Sequence, residues 1–399
     1  MLFDLEDKAF REEAEVWLTS LDDSTIVDLE AVFEISPGYY PTTLLTLWEL
    51  ETQRRHLPSL SSAGPTTRHK PLPVSHPFDA DWRFTIDSSA ELVSRAVDGL
   101  SNLSTVVHIG THSTYRLGVS TFPQHHHVLL DRNSYLTETI NGKDHRILAI
   151  DLSKDEVPYL QAESAILDPP WYLDDTLWFL DAASRVCSMG ASVLLCQPSL
   201  ATRPGVMSER AQLLELLPAL GLLQVDEIIR SIGYRTPHFE AMSLRASSVS
   251  VLVPDTWRHG DLLVLSKVGP TSLTLSPPKR EEWSEVQFGP VRIKIRSSGV
   301  PTDLMSLVPG NVLKTVSRRD PVRQQIGFWT SGNRIFGVAH PKPLETLIEM
   351  CNDDLKHMQF TLSNIINHGR RIGFSSSVSR RLFDVLLLKL QEHMDREHG

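Results

Sequence analysis

The segment Asp168-Pro169-Pro170-Trp171 combines residue types that could hold an amine. It directly follows a short apolar run, which is typical of a buried strand. Two successive prolines fix φ and remove two backbone donors, so the strand must end there. Asp168 and the Pro169 carbonyl could then accept N–H bonds from an amino group, while Trp171 or Tyr172 stacks on the attached ring. The alternative is a strand terminator followed by a core tryptophan.

Other predicted strands also end in residues that could contact a ligand. Strand and helix patterns alternate between about 79 and 268, which predicts a mostly parallel, doubly wound α/β sheet of Rossmann-like type. Such sheets bind ligands at the carboxyl ends of their strands. Successive predicted strands end at Gly110, Asp131, Asp151 and Asp168. Their order along the chain favours a functional role for this edge.

This order of strand ends resembles that of the class I methyltransferases that use S-adenosylmethionine. The strand-end motif at 168–171 resembles the Asp/Asn-Pro-Pro-aromatic motif of the amino-methyltransferases, and the likeness covers roughly residues 79–268. The resemblance implies S-adenosylmethionine as the cofactor. It implies that Asp131 binds the cofactor ribose and that Asp151 lies near its adenine. The turn that approaches the cofactor would be formed by Gly110, Thr111 and His112.

The same resemblance assigns the catalytic role to Asp168, Pro169, Trp171 and Tyr172. An exocyclic amine is a poor nucleophile because its lone pair is delocalised into the ring. Accepting both amine hydrogens favours a pyramidal nitrogen, so positioning and electrostatics supply most of the rate. Stacking on an aromatic ring would offset part of the cost of flipping a base out of a duplex. We expect an enzyme acting on adenine in DNA or RNA, with a protein amine as the alternative.

The turn after the first of these strands departs from the family pattern. The family usually has an acid two residues before the first glycine and a second glycine two residues after it. This chain has His108 and His112 at those positions. A histidine adds bulk where the backbone normally approaches the cofactor closely. A second hypothesis is therefore a catalytically degenerate methyltransferase fold that serves as a scaffold or binding subunit of a larger complex.

Two further segments near the sheet edge could contact a substrate. Residues 199–203 follow the fifth strand, where substrate loops occur. Residues 234–239 are interpreted as a polar, aromatic loop. Arg235 in that loop could hold a phosphate or carboxylate, or the loop could be a structural turn.

Charge is unevenly distributed along the chain. The net charge is −10, but residues 275–399 carry +5 and residues 1–274 carry −15. A basic C-terminal third favours an anionic partner, and a solvated basic surface is the alternative. The candidate contacts to nucleic-acid phosphates are Arg318, Arg319, Arg323, Arg370 and Arg371.

Composition favours a cytoplasmic protein without a membrane span. The 3 cysteines are scattered, the N-terminus is acidic and long apolar runs are absent. The run His125-His126-His127 enters a predicted strand, where neighbouring side chains point to opposite faces. Metal ligands must converge from different elements, so we expect no metal site.

The sequence predicts successive segments with different roles. Residues 1–56 form a helical N-terminal subdomain that could contact a protein partner, and 57–78 form a Pro/Ser-rich linker. Residues 79–269 form the methyltransferase-like α/β domain. Residues 270–399 form a basic α+β C-terminal domain. In the last segment, residues 291–296 alternate in the manner of a half-exposed strand with a basic face, and helices are expected at 343–367 and 378–396.

Overall fold

The computed structural model describes residues 2–39, 41–56, 74–133, 146–152, 154–247, 255–275, 283–297, 304–338 and 341–398. The chain forms two compact units. The first contains Met1–Arg68, Trp82–Thr236 and Val251–Pro278, and the second contains His69–Asp81, Pro237–Ser250 and Lys279–Gly399. Most of the linker expected at 57–78 lies outside the described residues, and the segment boundaries drawn from the sequence stay predictions.

The first unit is built on a sheet with the strand order β1-β7-β8-β6-β5-β2-β3-β4. Strands β4, β3, β2, β5 and β6 are parallel, whereas β8 is antiparallel to both β6 and β7. The predicted mixed α/β Rossmann-like fold is therefore confirmed. The strands are β1 (Arg83–Phe84), β2 (Thr105–Ile109), β3 (His126–Asp131), β4 (Arg146–Ala149), β5 (Ala162–Leu167), β6 (Cys187–Pro198), β7 (Leu222–Arg235) and β8 (Thr256–Lys267).

Helices follow the strands of this sheet in the order that the sequence pattern predicts. Thr85 caps the first of them, because its Oγ1 accepts a hydrogen bond from the Ser88 N–H at 3.1 Å. That helix buries Leu92 and Val93 against the sheet. The helices of this domain are α5 (Ile86–Val97), α6 (His112–Thr121), α7 (Leu173–Val186) and α8 (Val206–Leu216).

Two boundaries differ from the sequence prediction. The sequence pattern predicts a helix from Asp174 to Ser188, but the helix ends at Val186 because Cys187 already pairs with Ala162 as the first residue of β6. The interpretation of 234–239 as a loop is wrong at its start, since Tyr234 and Arg235 belong to β7 and pair with β1. Non-local strand pairing decides both boundaries, and a local pattern does not contain it.

The N-terminal helices pack into a small core of their own. They are α1 (Leu2–Thr19), α2 (Asp23–Ile26), α3 (Leu29–Ile35) and α4 (Pro41–Arg54). The buried Trp48 indole donates a hydrogen bond to the Ile26 carbonyl at 2.7 Å. The end of α3 also contacts the sheet, because Arg230 Nη2 in β7 donates to the Phe33 carbonyl at 2.8 Å. The helical subdomain expected from the sequence therefore lies against the α/β domain.

The second unit contains an antiparallel sheet with the order β11-β13-β12-β10-β9. Its strands are β9 (Trp283–Phe288), β10 (Val291–Arg296), β11 (Met305–Ser306), β12 (Phe328–Thr330) and β13 (Ile335–Gly337). Its helices are α9 (His238–Ala246), α10 (Pro341–Lys356), α11 (Leu362–Arg371) and α12 (Ser376–His398). The single helix expected at 343–367 is thus two helices. The break contains Met358, whose φ of +58° a helix does not accommodate.

The expected half-exposed basic face of β10 is wrong at its centre. Arg292 is 1% exposed. Its guanidinium lies 2.6 Å from carboxylate oxygens of both Asp79 and Glu285, and Lys294 pairs with the same two acids. Carboxylates from other segments neutralise the positive charges of Arg292 and Lys294. The alternation of basic and apolar residues in β10 therefore does not indicate a solvated surface. No helix among the described residues is long and apolar enough to cross a membrane.

Candidate functional site

Strand register brings the predicted site residues to one edge of the sheet. Ile109 is aligned with Leu130 on β3 and with Leu167 on β5. The next residues, Gly110, Asp131 and Asp168, are therefore neighbours at the carboxyl ends of these strands. Asp151 follows β4 at the same edge, where the Ile150 N–H donates to the Asp131 carbonyl at 3.0 Å. The edge that favours ligand binding in such sheets carries the predicted residues.

Gly110 occupies a position that a larger residue does not fit. Its φ is +67°, and an added Cβ would lie 2.9 Å from Phe179 Cε1 on α7. The turn continues through the buried Thr111, whose hydroxyl points to the Ile166 carbonyl at 3.4 Å. His112 is also buried and is the first residue of α6. The backbone of β2 thus turns directly into the amino end of a helix.

The acids at this edge fit the donors of a nucleoside. Asp131 and Asp151 are both half-buried. Asp131 Oδ1 accepts the Asn133 N–H at 2.8 Å, and the Asp151 N–H donates to Asp155 at 2.8 Å. Carboxylates on neighbouring strand ends can accept hydroxyl and amino hydrogens, which ribose and adenine supply. These two acceptor groups therefore agree with the hydroxyl and amino donors of the nucleoside part of S-adenosylmethionine.

A buried chain of hydrogen bonds lies behind the Gly110 turn. His108 Nδ1 lies 2.9 Å from the Thr114 hydroxyl, and His108 Nε2 lies 3.0 Å from His127 Nδ1. His127 Nε2 is 3.2 Å from the Phe122 carbonyl, and Thr114 Oγ1 is 2.8 Å from the Thr111 carbonyl. Burial lowers the pKa of both histidines below the ordinary range. His108 is thus a neutral, packed residue.

Asp168 is held by a tyrosine from a distant strand. Tyr234 Oη on β7 donates to Asp168 Oδ1 at 2.8 Å. Burial raises the pKa of Tyr234 well above its ordinary value, and the charge of Asp168 raises it further. The hydroxyl therefore keeps its proton and remains a donor to the carboxylate. Sequence reasoning did not connect these residues, because 66 positions separate them in the chain.

Arginines cover the aromatic rings that follow Asp168. The Arg258 guanidinium lies 5.3 Å from the Trp171 ring centroid and 4.7 Å from that of Trp82. Arg203 lies 5.0 Å from the Tyr172 ring and donates to the Trp171 carbonyl at 2.7 Å. Each predicted stacking ring thus already has one cation on it. Arg203 belongs to the segment 199–203 that the sequence predicts to be a substrate loop. No motif in the sequence around Arg258 points to this position.

The candidate phosphate contacts of the C-terminal region differ in exposure. Arg318, Arg370 and Arg371 are exposed. Arg319 and Arg323 are half-buried, and Arg323 donates to the Val316 carbonyl at 2.6 Å. All five belong to the second unit.

The histidine run is split between faces. His126 is exposed, whereas His125 and His127 are buried. Among the described residues, no group of three His, Cys, Asp or Glu side chains converges as metal ligands do.

No family model matches the chain, and no curated protein matches it. Among solved structures, the chain is similar to a branched-chain polyamine synthase from Thermus thermophilus bound to N4-aminopropylspermidine and 5'-methylthioadenosine. Identity is 14%, with a TM-score of 0.50, and the match covers 68% of this chain and 91% of that one. A mutein of the same synthase gives 14% identity and a TM-score of 0.50, over 70% and 96% of the two chains. These likenesses show the fold.

A further neighbour is a mutant of a 16S rRNA (adenine(1408)-N(1))-methyltransferase from Catenulisporales acidiphilia with its cosubstrate SAM. It is 17% identical over 46% of this chain and 92% of that chain. Its TM-score is 0.30.

Two glycines allow the tightness of the turn to be measured. Gly110→Ala should lower the free energy of unfolding more than Gly99→Ala, by about 1–3 kcal/mol for overpacking. Gly99 has φ +70° but nothing within 4 Å of an added Cβ, so its variant carries the backbone cost alone. Chemical denaturation measures both variants. Adding Phe179→Leu should recover much of the difference, whereas equal costs for the two glycine variants would contradict the close contact.

Proposed function

We propose that this chain transfers a methyl group from S-adenosylmethionine to an exocyclic amine, with adenine in DNA or RNA as the substrate. The observation that carries the proposal is the adjacency of Asp168 to the Gly110 turn. Ile109 and Leu167 are paired, and the Asp168 N–H points to the Ile109 carbonyl at 3.4 Å. An amine held by Asp168 would therefore lie beside a nucleoside held by the neighbouring strand ends.

The methyl donor would be bound by the turn at Gly110 and by the carboxylates of Asp131 and Asp151. When bound, S-adenosylmethionine supplies a methyl group on a positively charged sulfur. Asp131 and Asp151 would accept the ribose hydroxyl and adenine amino hydrogens, while Gly110, Thr111 and His112 would line the turn beside it. The half-buried position of these carboxylates suits this role, because hydrogen bonds partly shielded from water are stronger than exposed ones.

The acceptor side uses the rigid corner after β5. Asp168 and the Pro169 carbonyl would accept the amine hydrogens, which directs the nitrogen lone pair away from them. The carboxylate also stabilises the positive charge that develops on nitrogen. Tyr234 fixes the rotamer of Asp168 through its 2.8 Å hydrogen bond, so the geometry is set before an amine arrives.

The aromatic and arginine side chains support a base as the acceptor. Trp171 and Tyr172 would stack on the base, either directly or through the guanidinium planes of Arg258 and Arg203. Arginine planes stack on unpaired bases in nucleic-acid complexes. The exposed arginines of the second unit would contact phosphates.

Calorimetry with S-adenosylmethionine tests the donor and acceptor roles separately. Asp131→Ala should weaken cofactor binding by about tenfold or more, because a partly buried hydrogen bond to a charged acceptor is lost. Asp168→Ala should abolish methyl transfer while leaving cofactor affinity within about twofold. Absence of binding at millimolar cofactor would favour the degenerate scaffold instead. Equal loss of binding and transfer in Asp168→Ala would mean that its role is misplaced.

Salt dependence tests the nucleic-acid substrate. Binding to single-stranded DNA or RNA should weaken steeply as salt rises, since arginine contacts release counterions. Replacing Arg370 and Arg371 by Gln should reduce the slope of log affinity against log salt by about 1.4, because each contact to a single strand contributes about 0.7. The control is Arg95→Gln, which changes an exposed arginine on α5 of the first unit. Absent binding at low salt would shift the substrate to a protein amine.

A second candidate is transfer of an aminopropyl group to a polyamine amine. The match to the polyamine synthase favours it, because it covers 96% of the mutein chain and extends beyond the α/β domain of this one. In that reaction the amine forms a C–N bond, the sulfonium C–S bond breaks and 5'-methylthioadenosine leaves. The same Asp168 corner would hold the amine.

The nucleoside product separates the two candidates. Purified protein is incubated with S-adenosylmethionine or with its decarboxylated form, together with adenine oligonucleotides or spermidine, and products are identified by mass spectrometry. We expect S-adenosylhomocysteine from the first donor with an oligonucleotide. Production of 5'-methylthioadenosine that depends on spermidine and on Asp168 would establish the second candidate.

A further inference from the structure

A small cavity adjoins Trp171 on the side of the N-terminal helices. Its volume is about 10 Å³, which is room for one oxygen atom or water molecule. The segment around the end of α3 forms one wall, and residues after β5, after β6, within β7 and near the start of β8 form the other. Phe33, Trp171, Thr202, Arg230 and Arg258 line the cavity.

Arg230 brings a charge to this cavity that the described residues do not neutralise by an ion pair. Its guanidinium donates to the Phe33 carbonyl, and its Nε is buried without a partner in the described part of the chain. Burial lowers the pKa of Arg230, although Asp261 and Glu34 raise it at longer range. A half-buried guanidinium without a paired carboxylate is costly unless a ligand supplies the negative charge.

Thr202 provides a second, independent indication of a ligand. Its side chain is 3% exposed, and its hydroxyl has no hydrogen-bond partner among the described residues. Buried hydroxyls are normally hydrogen-bonded, so an unpaired one lining a cavity marks a place for a ligand atom. Arg258, also buried, adds a second guanidinium to the lining.

The wall that carries Arg230 is held in an unusual backbone conformation. Arg230 has a φ of +52°, and its N–H donates to Asp261 Oδ1 at 2.9 Å. Asp261 is 1% exposed and also accepts hydrogen bonds from Ser199 Oγ and Arg210 Nη2. This carboxylate is already paired with Arg210 at 3.2 Å, so it holds the backbone of Arg230 without neutralising its guanidinium.

We infer that the cavity is an anion subsite that takes an oxygen of a phosphate or carboxylate carried by the acceptor. The assignment to the acceptor rests on the proposed function, because the subsite adjoins Trp171 at the amine corner. The ribose and adenine of the donor are proposed to lie at Asp131 and Asp151 instead. The site is cationic, so a phosphate-bearing nucleotide fits it better than a polyamine does. The N-terminal segment forms part of the acceptor site through Phe33.

Binding of inorganic phosphate to the full chain tests the subsite without any methyl donor. Phosphate affinity is measured by calorimetry at constant ionic strength, and we expect Arg230→Gln to weaken it by about tenfold or more. Thr202→Val, which keeps the volume and removes the hydroxyl, should weaken it by a smaller factor. The matched control is Arg95→Gln, which changes an exposed arginine on α5 of the same unit. It should leave the affinity within about twofold.

Two nucleosides test whether the anion belongs to the acceptor. Adenosine 5'-monophosphate should bind about tenfold more tightly than adenosine, and Arg230→Gln should remove that preference. Acetate binding more tightly than phosphate would support the anion subsite with a carboxylate as its source. No phosphate or acetate binding by the unmodified chain, or equal weakening in Arg95→Gln, would overturn it. Because neither measurement uses methyl transfer, failure of the subsite is distinguishable from failure of the proposed reaction.

Discussion

The backbone hydrogen bonds that hold β2 in register between β3 and β5 are the constraint on which the site depends. They align Ile109 with Leu130 and Leu167, so the residues that follow the three strands lie side by side at the carboxyl edge of the sheet. A shift by one residue would exchange the side chains that pack on the two faces of the sheet and would separate Gly110 from Asp168. The core of Val107, Ile109, Leu130 and Leu167 fixes this register by burial. Packing of the sheet therefore sets the geometry of the candidate chemistry.

Local sequence signals predicted the strand ends, but not the side chains that complete the site. Apolar runs that end in glycine or an acid are visible in any single stretch of sequence. The partner of Asp168 is Tyr234 on β7. The two residues meet because β8 and then β7 lie beyond β6 in the same sheet as β5. Arg258 and Arg230 likewise depend on tertiary packing. For Arg292, alternation suggested a solvated face, whereas Asp79 and Glu285 neutralise the charge from distant positions.

The site combines charges of opposite sign on its two sides. Carboxylates end the strands at Asp131 and Asp151, while the side beyond Trp171 carries Arg203, Arg230 and Arg258. Such an arrangement orients a ligand that bears donors at one end and an anion at the other. Interactions with such a ligand depend on partial burial, because exposed charges would be screened by water and salt. The net charge of the chain does not reveal this local division.

A buried series of hydrogen bonds runs from Phe122 through His127, His108 and Thr114 to Thr111. This series restricts where the hydrogens of its members can lie. It contains four donor–acceptor contacts, but two neutral imidazoles and one hydroxyl supply only three hydrogens. One contact therefore lacks a hydrogen, and the hydrogens on either side of it point away from it. A proton on His127 Nδ1 then requires the proton of His108 to lie on Nδ1 and the Thr114 hydroxyl to face Thr111. The tautomers of the two histidines are thereby coupled, which correlates the turn after Gly110 with the start of β3.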